Sequence, residues 1–212
     1  MVHHDSPPPA GRPLDADAPE RRPLPAMTAR LLARRSVPLR GFCEEAIPEA
    51  DLQTILTIAA RTPDHGRLVP WRFIVVEGAA RRLAGARLDA LYGRRNPDLA
   101  ETKRDMWTLY MLRAPVVVIL VSRPDPSAKV PVLDQMLSAG AAGMNLTAGA
   151  ISLGYAVQWL LKWPGRDAEA AALFGVEAGE QVAGFLHLGR QNEATADRPR
   201  PALADIVTRW SA

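Results

Sequence analysis

Residues 138–163 read SAGAAGMNLTAGAISLGYAVQWLLKW, and this stretch decides the fold. Met144, Leu146, Ile151 and Leu153 are set among alanine, glycine and serine, and no charge appears before Lys162. Small residues at Ala139, Gly140, Ala142, Gly143, Gly149 and Ala150 let another backbone come close. The pattern predicts a long buried helix ending near Leu153, with Gly154 just past its end in the left-handed region and a strand over residues 155–160. A run this long invites comparison with a membrane span. Its frequent glycines, Asn145 in its middle and the change to a strand pattern at Gly154 argue against one. A helix that is apolar all round is covered on all sides. In a chain of 212 residues this implies a dimer interface as well as a core.

Hydrophobic content of 48% is enough for a real core, and 212 residues make one large domain or a domain with arms. The net charge is +3. All but three of the basic residues are arginine, and they are dispersed rather than blocked. That spacing is too sparse for a nucleic-acid partner and suits small anionic ligands or solvated helix faces. Cys43 is the only cysteine, so no disulfide framework forms within one chain and a reducing cytoplasm is expected. Its acidic neighbours Glu44 and Glu45 disfavour a reactive thiolate.

Residues 1–26 are proline-rich, mixed in charge and poor in apolar residues, and read as a disordered tail ahead of a domain over residues 27–212. The tail has no apolar segment of the signal-peptide kind. Thr28 is the expected N-cap of a short helix reaching Arg35, with Leu31 and Leu32 facing in. Pro48 opens a helix carrying Leu52, Ile55, Leu56, Ala59 and Ala60 at helical spacing. The loop from Thr62 to Gly66 follows, then a strand WRFIVVE over residues 71–77. Helices are expected over 79–92, 99–113 and 167–174, the last closed by Gly175. The run PVVVILVS over residues 115–122 reads as a central strand, QVAGFLHLG over 181–189 as the last core strand, and 191–201 as a polar arm. A terminal helix or strand is expected over 203–210. The order is not a regular strand–helix alternation. It implies an α+β fold, a small mixed, mostly antiparallel sheet wrapped by helices.

Three segments suit an anion. Arg34, Arg35 and Ser36, with Arg40 close behind, offer forked guanidinium donors and a hydroxyl at a helix end. The same residues also read as an exposed basic terminus complementing the helix dipole. Arg61 and His65 frame a loop stiffened by Pro63 and Gly66, where ligand residues often lie. A loop histidine bonded only to its neighbours is the alternative. Arg198 and Arg200 sit on a proline-stiffened arm. His187 alternates within a core strand and reads as structural. No phosphate-binding glycine loop, nucleophile elbow or zinc-protease signature occurs, and no metal site is expected. If the chain is an enzyme, a cofactor carries the hard chemistry and no side chain is a catalytic acid or base.

Taken in order, these pieces resemble the FMN-dependent nitroreductases. Arg34-Arg35-Ser36 with Arg40-Gly41-Phe42 looks like the opening R-R-S-x-R-x-F of that family. Arg61-Thr62-Pro63-Asp64-His65 through Pro70-Trp71-Arg72-Phe73 looks like its A-P-S/D…Q-P-W-x-F segment. Lys129-Val130-Pro131, Ser138-Ala139-Gly140, Gly154-Tyr155 through Trp159, and Gly184 to Gly189 resemble its smallest single-domain members. The resemblance spans roughly residues 27–201. It implies a homodimer with two FMN sites at the subunit interface, and NADH or NADPH reducing the flavin by hydride transfer to N5. A small-molecule acceptor, such as a nitroaromatic or quinone, then takes the electrons. It further implies that Arg34, Arg35 and Ser36 hold the phosphate and ribityl oxygens, with Arg40 nearby and Arg198 and Arg200 reaching the phosphate. Arg61 and His65 would reach the flavin, and Trp159, Leu160 and Leu161 would line its ring. The segment Gly149, Ala150, Ile151, Ser152, Leu153 and Gly154 matches one linked to the nicotinamide donor. The chain departs from the pattern at Pro38 and Leu39, an insertion, and near Arg67, where asparagine is common. It departs again at Val69, where glutamine is usual, and at Leu160 and Leu161, where small members carry polar residues. A less polar rim would narrow the acceptors. A flavin-binding module without nitroreductase turnover, either regulatory or with other flavin chemistry such as dehalogenation, is the alternative function.

Overall fold

A computed structural model of the chain describes residues 24–211. The reading of the N-terminal tail lies outside the described residues up to residue 23. Helix α1 (Pro25–Leu32) starts inside the expected tail and three residues before the expected cap at Thr28, because Pro25 supplies a first-turn residue that needs no N–H partner. Next come α2 (Glu49–Ala60), β1 (Trp71–Glu77), α3 (Ala79–Arg95), α4 (Met106–Leu112) and β2 (Val116–Ser122). They are followed by α5 (Val132–Ser152), β3 (Ala156–Leu160), α6 (Ala168–Ala172), β4 (Gln181–Gly189) and α7 (Leu203–Ile206). The helix expected over 99–113 is shorter, a 3₁₀ turn at Glu101–Lys103 and then α4, whose first N–H groups at Trp107 and Thr108 are taken by Asp89.

The strands run in the order β1-β2-β4-β3, and every neighbouring pair is antiparallel. One isolated parallel bridge, Ser36 to Val157, lays the segment after α1 along the outer edge of β3, and the four strands themselves are antiparallel throughout. Strand β2 is buried along its whole length. Val116, Val118 and Leu120 face α2 and α5, while Val117, Ile119 and Val121 face α3, α4 and α6. The unbroken apolar run therefore marks a strand covered on both faces, here within an antiparallel sheet. His187 on β4 is fully buried, with Nε2 3.1 Å from Tyr110 O, and burial holds its pKa down to about 4. It is a neutral core residue at pH 7.

α5 ends as expected. Gly154 has φ 84°, Gly154 N donates to Ile151 O at 3.0 Å, and Tyr155 N donates to Ala150 O at 2.9 Å, which together form a Schellman closure. Ala139, Ala142, Leu146 and Ala150 face the sheet. Gly143 faces it too: a Cβ there would lie 2.3 Å from the Trp159 ring, so this glycine makes room for an indole and not for a second helix. Gly140, by contrast, has nothing within 4 Å. It belongs to an outward apolar stripe with Leu133, Met136, Leu137 and Met144. Leu31 and Leu32, expected to face in, are exposed because α1 touches the body through Arg30, which caps α5 at Ile151 O, 2.8 Å. Among the described residues, no helix is long and apolar enough to cross a membrane.

β1 is fastened to the loop before β4 by a forked ion pair. Arg72 Nε donates to Glu180 Oε1 at 2.8 Å, and Nη2 donates to Glu180 Oε2 and Gly175 O at 2.6 Å. The Arg72 hydrogen bond, foremost, holds the Glu180 carboxyl below the usual carboxylate range. A carboxylate depressed in the fold adds stability above its unfolded pKa, about 4.3, and loses it as pH falls through the lower folded value. Glu180→Gln is expected to lower stability by roughly 1–3 kcal/mol at pH 7. The difference from wild type, measured by urea unfolding, should close as the pH drops below about 4.

Candidate functional site

The site forms where four separated segments meet at the C-terminal end of α5. Ser36 is laid on the β3 edge by its bridge to Val157, and Val37 N donates to Val157 O at 3.3 Å. The C-terminal arm returns alongside. Phe42 pairs with Gln191, Cys43 N donates to Arg190 O at 2.8 Å, and Asn192 N donates to Gly41 O at 2.9 Å. Cys43 Sγ, 2.6 Å from Asn192 Oδ1, is part of this seam. Further along, Arg200 Nη2 donates to Arg34 O at 2.8 Å, and Arg35 donates to Ala196 O. Asp197 lies 3.7 Å from Arg35 and 3.5 Å from Arg200. Its carboxyl is held below the usual range by the Arg198 N–H first, and then by Arg200 and Arg35. Arg30, Arg34, Arg35, Gly154, Tyr155 and Thr195 help line a cleft of about 370 Å³. Three guanidiniums in one cleft favour an anion.

Trp159 stands two residues along β3 from Val157. A bulge makes its seat: Leu120 pairs with Gly184 and Val121 with Val182, which leaves Ala183 unpaired. The freed Ala183 O accepts from Trp159 Nε1 at 3.1 Å. Gly184 and Gly143 leave the space the indole fills. Leu160, next in the strand, turns to the opposite face and packs in the second core. Leu161 is part-exposed against Gly165.

The second group of expected residues lies elsewhere in the same chain. Arg61 is exposed at the end of α2. His65 Nδ1 is 3.1 Å from Asp134 Oδ2, in the first turn of α5. Asp134 and Ile151, which anchors Arg30, are separated by about 25 Å along the helix. His65 thus belongs to the other end of α5 from the arginine cleft, while Arg61 lies between Ile58, which packs on Gly149, and Thr62, which is bonded to Asn145. Arg40 is exposed on a 3₁₀ turn at Leu39–Gly41, and Arg198 is exposed on the arm. Gly149 packs on Ile58 and Ala150 is buried, so this part of the 149–154 segment is helix core. Ser152 and Leu153 are exposed, and only Ile151 and Gly154 face the cleft. Arg30 and Asp197 were not anticipated. A last-turn arginine and an aspartate beside Arg198 carry no motif, and only the return of the arm gives them a role.

An antiparallel sheet between two helical layers, with a paired-arginine segment laid on its edge and a basic cleft behind it, defines a nitroreductase-type α+β protein. A model of the nitroreductase family matches residues 31–190, well over half of the chain, and the chain belongs to that family. It is 30% identical over 161 residues, 75% of its length and 85% of the relative's, to YdjA of Escherichia coli, provisionally named an NAD(P)H nitroreductase. The fold is similar to that of a nitroreductase-like protein from Bacillus cereus, with a TM-score of 0.75 and 19% identity, covering 88% of this chain and 96% of that one. A Bacteroides fragilis nitroreductase solved with bound FMN has a TM-score of 0.65 at 24% identity, covering 87% and 98%.

Proposed function

We propose that this chain is an FMN-dependent NAD(P)H oxidoreductase that reduces nitroaromatic, quinone or similar acceptors as a cytoplasmic homodimer. The observation that carries the reading is the return of Arg200 to the backbone oxygen of Arg34, 166 residues away in sequence, alongside the cleft that Arg34 and Arg35 line. The residues fit the cofactor. A cleft of about 370 Å³ with three guanidiniums suits its phosphate end, and ligand pockets fall at roughly 300–1,000 Å³. An aromatic plane at the sheet edge suits its ring.

FMN, when bound, supplies the redox chemistry, taking hydride from NADH or NADPH and passing electrons to the acceptor. The chain binds, orients and tunes. Arg34 and Arg35 give forked donors, Ser36 a hydroxyl, and Arg40, Arg198 and Arg200 positive charge for the phosphate. Trp159 fixes one wall, and the apolar Leu160–Leu161 stretch narrows the acceptors. The Gly149–Gly154 turn is assigned to the donor through its cleft-facing members, Ile151 and Gly154. His65 reaches a flavin held by a second copy of the chain, because in its own chain it lies at the far end of α5, and Arg61, on the same loop, is assigned to that flavin with it. The outward stripe of Leu133, Met136, Leu137, Gly140 and Met144 supports that pairing, being an apolar surface that a two-fold partner would bury. The residues ahead of α1 are assigned to a tail outside the catalytic domain, whose first helix begins at Pro25.

The test is a visible absorption spectrum of the purified protein, before and after anaerobic NADPH and then NADH. Flavin bands that bleach are expected, and the faster donor is the preferred one. Bands that persist would leave a flavin-binding module without turnover. No flavin bands even after added FMN would overturn the proposal.

A further inference from the structure

The loop between α2 and β1 holds two residues other than glycine in the left-handed region, Arg67 at φ 54° and Val69 at φ 49°. A β-branched residue there is a genuine outlier, since its Cβ crowds the backbone. The Val69 side chain is 41% exposed, so core packing does not compensate for the strain. Such conformations persist where the surroundings over-determine them, and they cluster at ligand sites.

The over-determination comes largely from one carboxylate. Asp64 Oδ1 accepts from Leu68 N at 3.2 Å, and Oδ2 accepts from Val69 N at 2.7 Å. Arg123 closes the other side, its Nε donating to Val69 O at 3.1 Å and its N to Pro70 O at 2.9 Å. The root of the loop is tied to α5. Ser138 Oγ donates to Pro63 O at 2.8 Å and accepts from the buried Trp71 Nε1 at 3.2 Å, and Asn145 Nδ2 donates to Thr62 Oγ1 at 3.0 Å. The exposed turn His65–Arg67 stands out from this frame, with His65 Nδ1 3.1 Å from Asp134 Oδ2 at the start of α5.

We propose that Asp64 is a positioning residue for the flavin site. It takes two backbone N–H groups, holds residues 65–69 in a strained shape, and so presents His65 to the flavin. This rests on the flavin reading above. Val69 strain and flavin affinity are then coupled, so releasing the strain should raise stability and lower affinity together.

Val69→Gly is expected to raise the melting temperature of the flavin-free protein by roughly 2–4 °C. The same variant should weaken FMN binding about tenfold, the scale of one lost hydrogen bond to a charged group. Asp64→Ala should weaken FMN binding at least as much, and Asp64→Asn, which keeps one accepting oxygen, should fall between it and wild type. A purely structural role would shift the melting temperatures and leave FMN affinity unchanged, and that result overturns the proposal. If Asp64→Ala does not fold, the paired readouts on Val69→Gly decide. Wild-type protein that binds no FMN would overturn the flavin reading and this inference with it. Wild-type binding matched by Val69→Gly and both Asp64 variants overturns only the latch.

Discussion

Gly143→Leu is expected to destabilise the folded chain by about 3 kcal/mol, the upper end of the overpacking range. The melting temperature should fall by roughly 6–12 °C. A Cβ at this position would sit 2.3 and 2.7 Å from two atoms of the Trp159 ring and 2.9 Å from a Leu120 methyl. None of these is the loose end of a flexible side chain. The indole is pinned by its bond to Ala183 O, and Leu120 is fully buried on the central strand. Helix propensity acts the other way, since leucine replaces glycine inside α5 for a gain of under about 1 kcal/mol, and is outweighed. Gly140→Leu is the control, three residues back on the same helix with nothing within 4 Å. It should keep or raise the melting temperature of the single chain. Thermal unfolding of the two variants, followed by circular dichroism, checks this. Equal stabilities would mean that Trp159 is not held against α5. Sedimentation of Gly140→Leu adds the assembly readout, because a leucine in the outward stripe should weaken a pairing made through that stripe.

The contrast between these two glycines shows where the sequence was legible and where it was not. The small-residue content of α5 predicts close approach, and close approach occurs. Composition does not say to what: a glycine at 143 suits a helix contact as well as the indole it faces, which a bulge at Ala183 delivers. A bulge costs one residue of register and leaves no mark in the sequence except a glycine such as Gly184. α5 also begins ahead of the apolar stretch, at Val132 just after Pro131. Its first turns, residues 132–137, contain Asp134 and Gln135, which break the apolar pattern. In the fold, Gln135 is buried and serves the loop before it, accepting from Asp125 N at 2.7 Å and donating to Val130 O at 3.0 Å. β2 was legible because its unbroken apolar run and its burial on both faces agree. Arg34, Arg35 and Arg200 were legible as residues but not as neighbours. Their approach depends on a seam of backbone bonds between residues 41–43 and 190–192 that no local pattern encodes.

Changing Arg34 and Ser36 together to alanine is expected to weaken FMN binding by roughly 100- to 10,000-fold, two charge-assisted hydrogen bonds at about 1.5–3 kcal/mol each. The fold should survive, since neither side chain is in the core: Ser36 is exposed, and Arg34 offers its backbone oxygen rather than its guanidinium to Arg200. That bond to Arg34 O persists with any side chain at position 34, so the arm stays docked and the loss reports on the ligand. Arg200→Ala separates the two roles. It removes the arm's bond to Arg34 O and frees Asp197 from one of its cations. A carboxylate less neutralised beside the cleft should repel a phosphate dianion, so this variant should also bind FMN more weakly, and more so at low ionic strength. Equilibrium dialysis with FMN, at low and at physiological salt, measures both. Unchanged flavin occupancy in the Arg34/Ser36 double variant would remove the arginine cleft from the flavin site and leave the phosphate to be held elsewhere on the chain.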